Sequence, residues 1–275
     1  MNVLITVKTY PTLSTKYEEV VCTAGINTDG QWIRIYPVPF RKMDYDKKFK
    51  KYDLIEIALI RRSEDFRPES CSPTRIDDMK ILKHIGTDKN WQERKDIVLK
   101  NVYSNMTKLI SEAKDKTIYK SLAVFKPTEI LDFTWEEVAR KWDSERLANL
   151  ESQRRQLKLF EKSENLLKVF PKLPYKFSYK FLDNSGKEST LMIEDWETGQ
   201  LYLRYLKIHK KNEALACAEV KKQYFDNFAK TKDLYFFMGT TREHHLISKN
   251  PFIIIGVFYP PLPNHSPQPE QLKLF

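Results

Sequence analysis

The chain opens with a run of short apolar stretches: "NVLITVKTY", "EEVVCTAGI", "QWIRIYPV" and "YDLIEIALIRR". They are rich in β-branched and aromatic residues and partly alternate with polar ones, the pattern of strands lying in a sheet. "NTDG" between the second and third carries Asp29-Gly30, a tight hairpin signal. Side chains alternate across a strand, so Trp32, Arg34 and Tyr36 share one face while Ile33 and Ile35 share the other. The isoleucines are natural core. The Trp32/Arg34/Tyr36 face is then expected to meet solvent or to wall a ligand site.

Helical spacing follows. From Asp88 to Lys114, Trp91, Ile97, Val98, Val102, Met106, Leu109 and Ile110 form one amphipathic stripe and predict a single helix. "SLAVFKPTEILDF" reads as one or two strands. Between Glu136 and Val169 the chain is helix-like and charged, its apolar residues too sparse for a buried face, and "PKLP" breaks it. Strands resume at "YKFSYKFLD" and "STLMIED", a second helix is expected from Trp196 to about Lys230, and "DLYFFMGTT" and "PFIIIGVFYPP" close the folded part. The last is continuously apolar, so it is expected to be central and buried on both faces. The fold class is therefore α+β, with mostly antiparallel strands, a few long helices and a disordered Pro-rich C-terminal tail. The expected parts are 1–138, a charged connector over 139–171, a second α+β part over 172–261, and the tail over 262–275.

Composition narrows the function. With 275 residues, 41% hydrophobic and 31% charged, the chain can bury a sizeable core. No apolar run is long enough to span a bilayer, and "MNVLITVKTYP" reads as a first strand and not a signal peptide. The three cysteines, Cys22, Cys71 and Cys217, lie far apart and argue for a reducing, cytoplasmic setting. No zinc-type spacing, phosphate-binding loop or dinucleotide fingerprint occurs, so neither a metal nor a cofactor is expected. Lys and Arg number 47 against 37 Asp and Glu, a net charge of +10 that favours polyanions, DNA first among them.

Four polar stretches could carry a site. "QWIRIYPVPFRK" interleaves aromatics with Arg34 and Arg41, which can stack a base and hold its phosphate. "RRSEDFRPES" places Arg61, Arg62, Asp65, Arg67, Glu69 and Ser70 beyond a strand end. "IEDWETGQ" clusters Glu194, Asp195 and Glu197 where a strand meets a helix; Asp195 reads either as a helix N-cap or as a carboxylate that activates water. "GTTREHH" brings Thr240, Thr241, Arg242, His244 and His245 together. The expectation is a nucleic-acid-binding cleft of Arg34, Tyr36, Arg41, Arg67, Thr241 and Arg242, with Asp195 and His244 as catalytic groups if DNA is hydrolysed there, as in a glycosylase or nuclease. The competing readings are, in order, a structural strand with ordinary surface arginines, a solvated charged loop, a helix cap and a polar turn.

Two resemblances add to this. The pentapeptide "QLKLF" occurs at Gln156–Phe160 and again at Gln271–Phe275. It resembles the bacterial sliding-clamp-binding motif, in which the glutamine fixes register and the leucines and phenylalanine fill an apolar groove. That resemblance implies clamp contacts by Gln271, Leu272, Leu274 and Phe275, and by Gln156, Leu157, Leu159 and Phe160. "CTAGINTDGQWIRIYPVPFR", "RPES", "IEDWETGQ", "FFMGTT" and "FIIIGVFYPP" together resemble an uncharacterised prokaryotic protein family, over most of residues 1–261. Some of its members carry paired cysteines near the stretch that here reads "FLDNSGKEST"; this chain has none there. The expected function is a DNA-associated protein recruited to replication forks by the DNA polymerase clamp, acting on modified or damaged bases in repair or phage defence. A pure clamp-binding inhibitor, or an RNA-binding protein, is the alternative.

Overall fold

The computed structural model describes residues 1–14, 18–40, 43–144 and 170–263, with 147, 148 and 152 besides. Arg41 and both Gln-Leu-Lys-Leu-Phe segments lie outside the described residues.

The opening strands build a seven-stranded sheet in the order β7-β8-β5-β4-β1-β6-β9. These are β1 (Asn2–Lys8), β4 (Thr23–Asn27), β5 (Trp32–Ile35), β6 (Asp53–Glu56), β7 (Leu59–Arg61), β8 (Ser70–Pro73) and β9 (Lys80–His84). Two of the four sequence stretches split. "EEVVCTAGI" divides between β4 and β3 (Glu18–Val20), which pairs with β2 (Thr12–Ser14) as a separate ribbon. "YDLIEIALIRR" divides between β6, which pairs with β1, and β7, which pairs with β8 at the far edge.

The second half holds two more sheets. One has the order β10-β11-β15-β16, from β10 (Val102–Tyr103), β11 (Leu122–Phe125), β15 (Tyr235–Thr240) and β16 (Phe252–Phe258); the other joins β12 (Glu129–Glu137), β13 (Tyr175–Leu182) and β14 (Glu188–Met192). Pairing is antiparallel in these sheets except at β5–β8 and β10–β11. The class is α+β. Strand β16 is buried along most of its length, but it is an edge of its sheet and not its centre. Its outer edge is met by the bridge from Ile193 to Ile254.

Both long helices expected from the sequence are broken. The first is α1 (Asp88–Val98) and α2 (Met106–Lys114), separated by β10. The stripe continues across the break, but Asn105 takes extended backbone and its side chain accepts the Lys108 N–H, a helix start inside the pattern. The second is α3 (Trp196–Ile208) and α4 (Glu213–Lys221), followed by a π-helical segment, Lys222–Ala229. Lys210 and Lys211 adopt left-handed φ of 50° and 70°, and Asn212 caps α4 through the Leu215 N–H.

Strands β12 and β13, on either side of the charged segment, pair from Glu129↔Leu182 to Glu137↔Tyr175. The sheets therefore part near residue 100, while residues 139–171 interrupt one sheet. Three apolar clusters hold the fold. Ile33 and Ile35 join Val3, Ile5, Phe49 and Ile55 on one side of the first sheet. Leu4, Val7, Ala24 and Ile26 pack across its other side against Leu122, Val124, Phe237 and Ile255 of the four-stranded sheet. Trp32 belongs to this second side, its ring 5.7 Å edge-on from Phe237. The strand face left open by the sequence is therefore mainly an inter-sheet contact.

Candidate functional site

Arg34 follows Trp32 onto the inter-sheet side. It is 6% exposed, and its Nη2 donates to the Ser121 carbonyl at 3.3 Å and to Ser121 Oγ at 3.1 Å. Ser121 in turn donates its N–H and Oγ–H to the Glu69 carboxylate, at 3.0 and 2.7 Å. Burial, and then the Arg67 charge, pull the Arg34 guanidinium down to about 10, still charged at neutral pH. Arg67 forms a fork with Asp65, Nε to Oδ1 at 2.9 Å and Nη2 to Oδ2 at 2.6 Å, and its Nη1 donates to the Thr240 carbonyl at 2.7 Å. Both arginines thus staple the first sheet to the second half.

The network ends on His245, which is wholly buried. Its Nε2 lies 2.7 Å from the Ala113 carbonyl, so that nitrogen carries the proton; Nδ1 then accepts from Thr240 Oγ1, also at 2.7 Å. Burial lowers its pKa, which keeps the ring neutral. Its neighbour His244 is exposed, as is Arg242, and the Thr241 hydroxyl accepts the His244 N–H at 3.3 Å.

Asp195 sits in a second buried group. Its Oδ1 accepts the Glu197 N–H as the N-cap of α3, and Oδ2 lies 3.3 Å from Lys51 Nζ. Lys51 also reaches Glu197 at 2.9 Å. Burial works against the Lys51 charge, but Asp195 and Glu197 outweigh it and hold the ammonium well above its usual range. For Asp195 burial wins over Lys51 and pushes the carboxyl up to about 6. Glu197, nearer to Lys51 and open to solvent, is lowered instead: Lys51 overcomes its burial. The two carboxylates share one cation unequally, and the exposed one takes more of it.

The expected cleft is therefore divided. Arg34 and Arg67 lie in one buried network, and Asp195 lies in another as cap and ion-pair partner. Among the described residues no hydrogen bond or ion pair links Arg242 or His244 to either. Tyr36 is half-buried, with the Arg62 guanidinium 5.0 Å over its ring and Arg62 Nη1 donating to its carbonyl. Among the described residues no group of three His, Cys, Asp or Glu is placed to hold a metal ion, and no helix is long and apolar enough to cross a membrane.

A groove of about 860 Å³ does open at the seam between the two halves. Trp32 and Tyr103 line it with amide side chains from Gln31, Asn105 and Asn184, and with Lys108 and Lys120. Its size falls in the range of ligand sites. Phe237 backs Trp32, and the Tyr103 hydroxyl is fixed by Glu112 at 2.5 Å. Asn105 Nδ2 donates to Asn184 Oδ1, and Asn184 Nδ2 to Ser104 Oγ, so the amides are held in place. Apart from Trp32, none of these residues stood out in the sequence. Gln31 follows the β4–β5 turn, Tyr103 is in β10, Asn105 and Lys108 are at the start of α2, Lys120 follows its end, and Asn184 is at the tip of the β13–β14 hairpin. The Asp29-Gly30 turn signal marks one of these places in the sequence; only the tertiary fold brings them together.

Residues 1–100 match a domain of unknown function, DUF8758, and residues 102–275 match a second domain of unknown function, DUF8757. The junction between the two matches falls between α1 and β10, where the seven-stranded sheet and its helix give way to the other sheets. No curated protein matches the chain.

Proposed function

The chain belongs to the DUF8757 family through its match over residues 102–275, and we propose that it is a DNA-associated protein that holds an unpaired strand in the seam groove. The observation that carries this is the groove's chemistry. Trp32 and Tyr103 bring aromatic rings to its wall for bases to stack on, amide side chains bring donors and acceptors, and Lys108 and Lys120 bring positive charge for phosphates. Base–aromatic stacking contributes about 1–3 kcal/mol per base and tolerates any sequence. The net charge of +10 adds the salt-dependent attraction that phosphate neutralisation brings.

In this reading the two Gln-Leu-Lys-Leu-Phe peptides bring the protein to DNA by docking on the bacterial sliding clamp. Three apolar side chains per peptide would contribute roughly 1.5–3 kcal/mol each before ordering costs, enough for micromolar recruitment. Action on modified or damaged bases, in repair or phage defence, fits that location.

The test is fluorescence anisotropy with a labelled single strand and its duplex. The parent protein binds the single strand more tightly, with affinity falling steeply as salt rises. Trp32→Ala and the pair Lys108→Glu, Lys120→Glu weaken it at least fivefold with the fold intact by circular dichroism. Unchanged affinity in both variants rejects the groove. Pull-down by the clamp, with and without Gln271–Phe275, tests recruitment separately.

A further inference from the structure

A second cavity, of about 240 Å³, shares no lining residue with the groove. Its wall includes the rings of Tyr10, Trp142, Tyr175 and Phe177, and two acidic residues, Glu194 and Asp195. The rings are anchored. The Tyr10 hydroxyl donates to the Pro171 carbonyl at 2.8 Å, Trp142 Nε1 donates to the Phe170 carbonyl at 2.9 Å, and the Tyr175 hydroxyl donates to Glu213 at 2.9 Å.

Glu194 is placed by its backbone. Its N–H donates to the Ile254 carbonyl at 2.8 Å, beside the Ile193↔Ile254 bridge. Ile193 is in the core and Asp195 is taken by Lys51. All three residues line the cavity, and among the described residues only Asp195 of its two carboxylates is engaged by a cation. The Glu194 carboxylate is only partly exposed and has no hydrogen-bond or ion-pair partner among the described residues, whereas Asp195 and Glu197 each have one. Burial raises its pKa. A carboxylate that the fold leaves without donors keeps both of its oxygens available to accept from a ligand.

We propose that this cavity binds a nucleotide base that presents two adjacent N–H donors, the guanine edge, with Glu194 accepting both. The rings suit the faces of a flat heterocycle, and a carboxylate matches a pair of parallel donors. The cavity is smaller than sites for drug-sized ligands, which restricts it to one ring system. Lys172 lies at the same cavity, with its Nζ 5.9 Å from the Trp142 ring centroid and its bond to the Lys141 carbonyl long at 3.4 Å. That ammonium suits the phosphate of the nucleotide. Adenine presents an acceptor where guanine has a donor, so the same carboxylate repels it.

Isothermal titration calorimetry of the full chain with guanosine monophosphate, guanosine and adenosine monophosphate tests this. Guanosine monophosphate binds the parent at least tenfold more tightly than adenosine monophosphate. Glu194→Gln removes that preference, and Lys172→Ala reduces the monophosphate to the affinity of the nucleoside. Val138→Phe, which fills the cavity and leaves Glu194 in place, abolishes binding and serves if Glu194→Gln fails to fold. The proposal is overturned if no guanine ligand binds at millimolar concentration, if adenine binds equally well, or if Glu194→Gln binds as the parent does. Competition by a guanine-containing single strand assigns the base to DNA; binding without such competition assigns it to a free nucleotide. Trp32→Ala, which tests the groove, leaves guanosine monophosphate binding unchanged, so the two sites fail independently.

Discussion

Replacing Lys51 by Met removes the cation that Asp195 and Glu197 share while keeping the side chain's length. Lys51 and Asp195 have side chains 6% and 1% exposed, so Asp195 is left with only the Glu197 N–H for its charge. Breaking a buried pair costs about 3–5 kcal/mol at neutral pH. The pH dependence is more diagnostic than the size. In the parent, Asp195 ionises at about 6, above an unfolded carboxyl near 4, so its contribution to stability is complete below about pH 4 and is lost as pH rises through about 6. Without Lys51 it stays protonated to higher pH. Above pH 6 the gap between parent and variant then widens by about 1.4 kcal/mol per unit, so the loss should be about 2 kcal/mol larger at pH 7.5 than at pH 5. Urea denaturation at the two pH values measures this. Adding Asp195→Asn should recover most of the loss at pH 7.5, because the amide needs no counter-charge. Equal destabilisation at both pH values, or a double variant worse than the single, would refute the argument.

Further outcomes follow from the same networks. Asp65→Asn breaks the fork to Arg67 and should cost about 2–4 kcal/mol at pH 7. Arg67 and Ser70 outweigh burial and hold the Asp65 carboxyl well below its usual range, so its contribution is present above pH 4 and lost as pH falls; the variant's acid unfolding limb should be flatter. A Cβ on Gly199 would lie 2.2 Å from the Tyr10 ring, so Gly199→Ala should cost about 1–3 kcal/mol in chemical denaturation. His245→Phe leaves the Thr240 hydroxyl and the Ala113 carbonyl without their partner and should cost about 1–3 kcal/mol per group, read as a lower Tm. Deleting Gln271–Phe275 should abolish clamp capture and leave Tm unchanged; a large fall in Tm with capture intact would make the peptide structural.

Strand existence was legible because alternation survives tertiary packing: β1, β5, β13 and β15 lie within the stretches that predict them. Helix continuity was not. The apolar stripe of α1 runs on into α2, since both bury residues from the same spacing, Val98 in one and Met106 and Leu109 in the other. The break depends on a cap and on backbone turns, signals one residue wide. Strand order was also hidden. Nothing local distinguishes β6 from β7, though the chain crosses four intervening strands of the sheet between them.

The site residues show the same limit in chemical form. Sequence reasoning favours charged and aromatic residues beside apolar strands as ligand contacts, and Arg34, Arg67 and Asp195 satisfy that test. It has no access to the second half of the molecule. Once the four-stranded sheet covers β5, an arginine on that face must find acceptors or leave; Ser121 and the Thr240 carbonyl, both from the other half, supply them. The same residue types therefore serve as cross-links wherever two sheets meet, and spacing alone cannot separate the two roles. What separates them is satisfaction. In "IEDWETGQ" three acidic residues stand together, and the fold gives partners to Asp195 and Glu197 but leaves Glu194 at a cavity wall without one among the described residues. A polar group that the fold has not used is the one with capacity left for a ligand, and Asp195, which the sequence singles out in this stretch, is already used as helix cap and ion-pair partner.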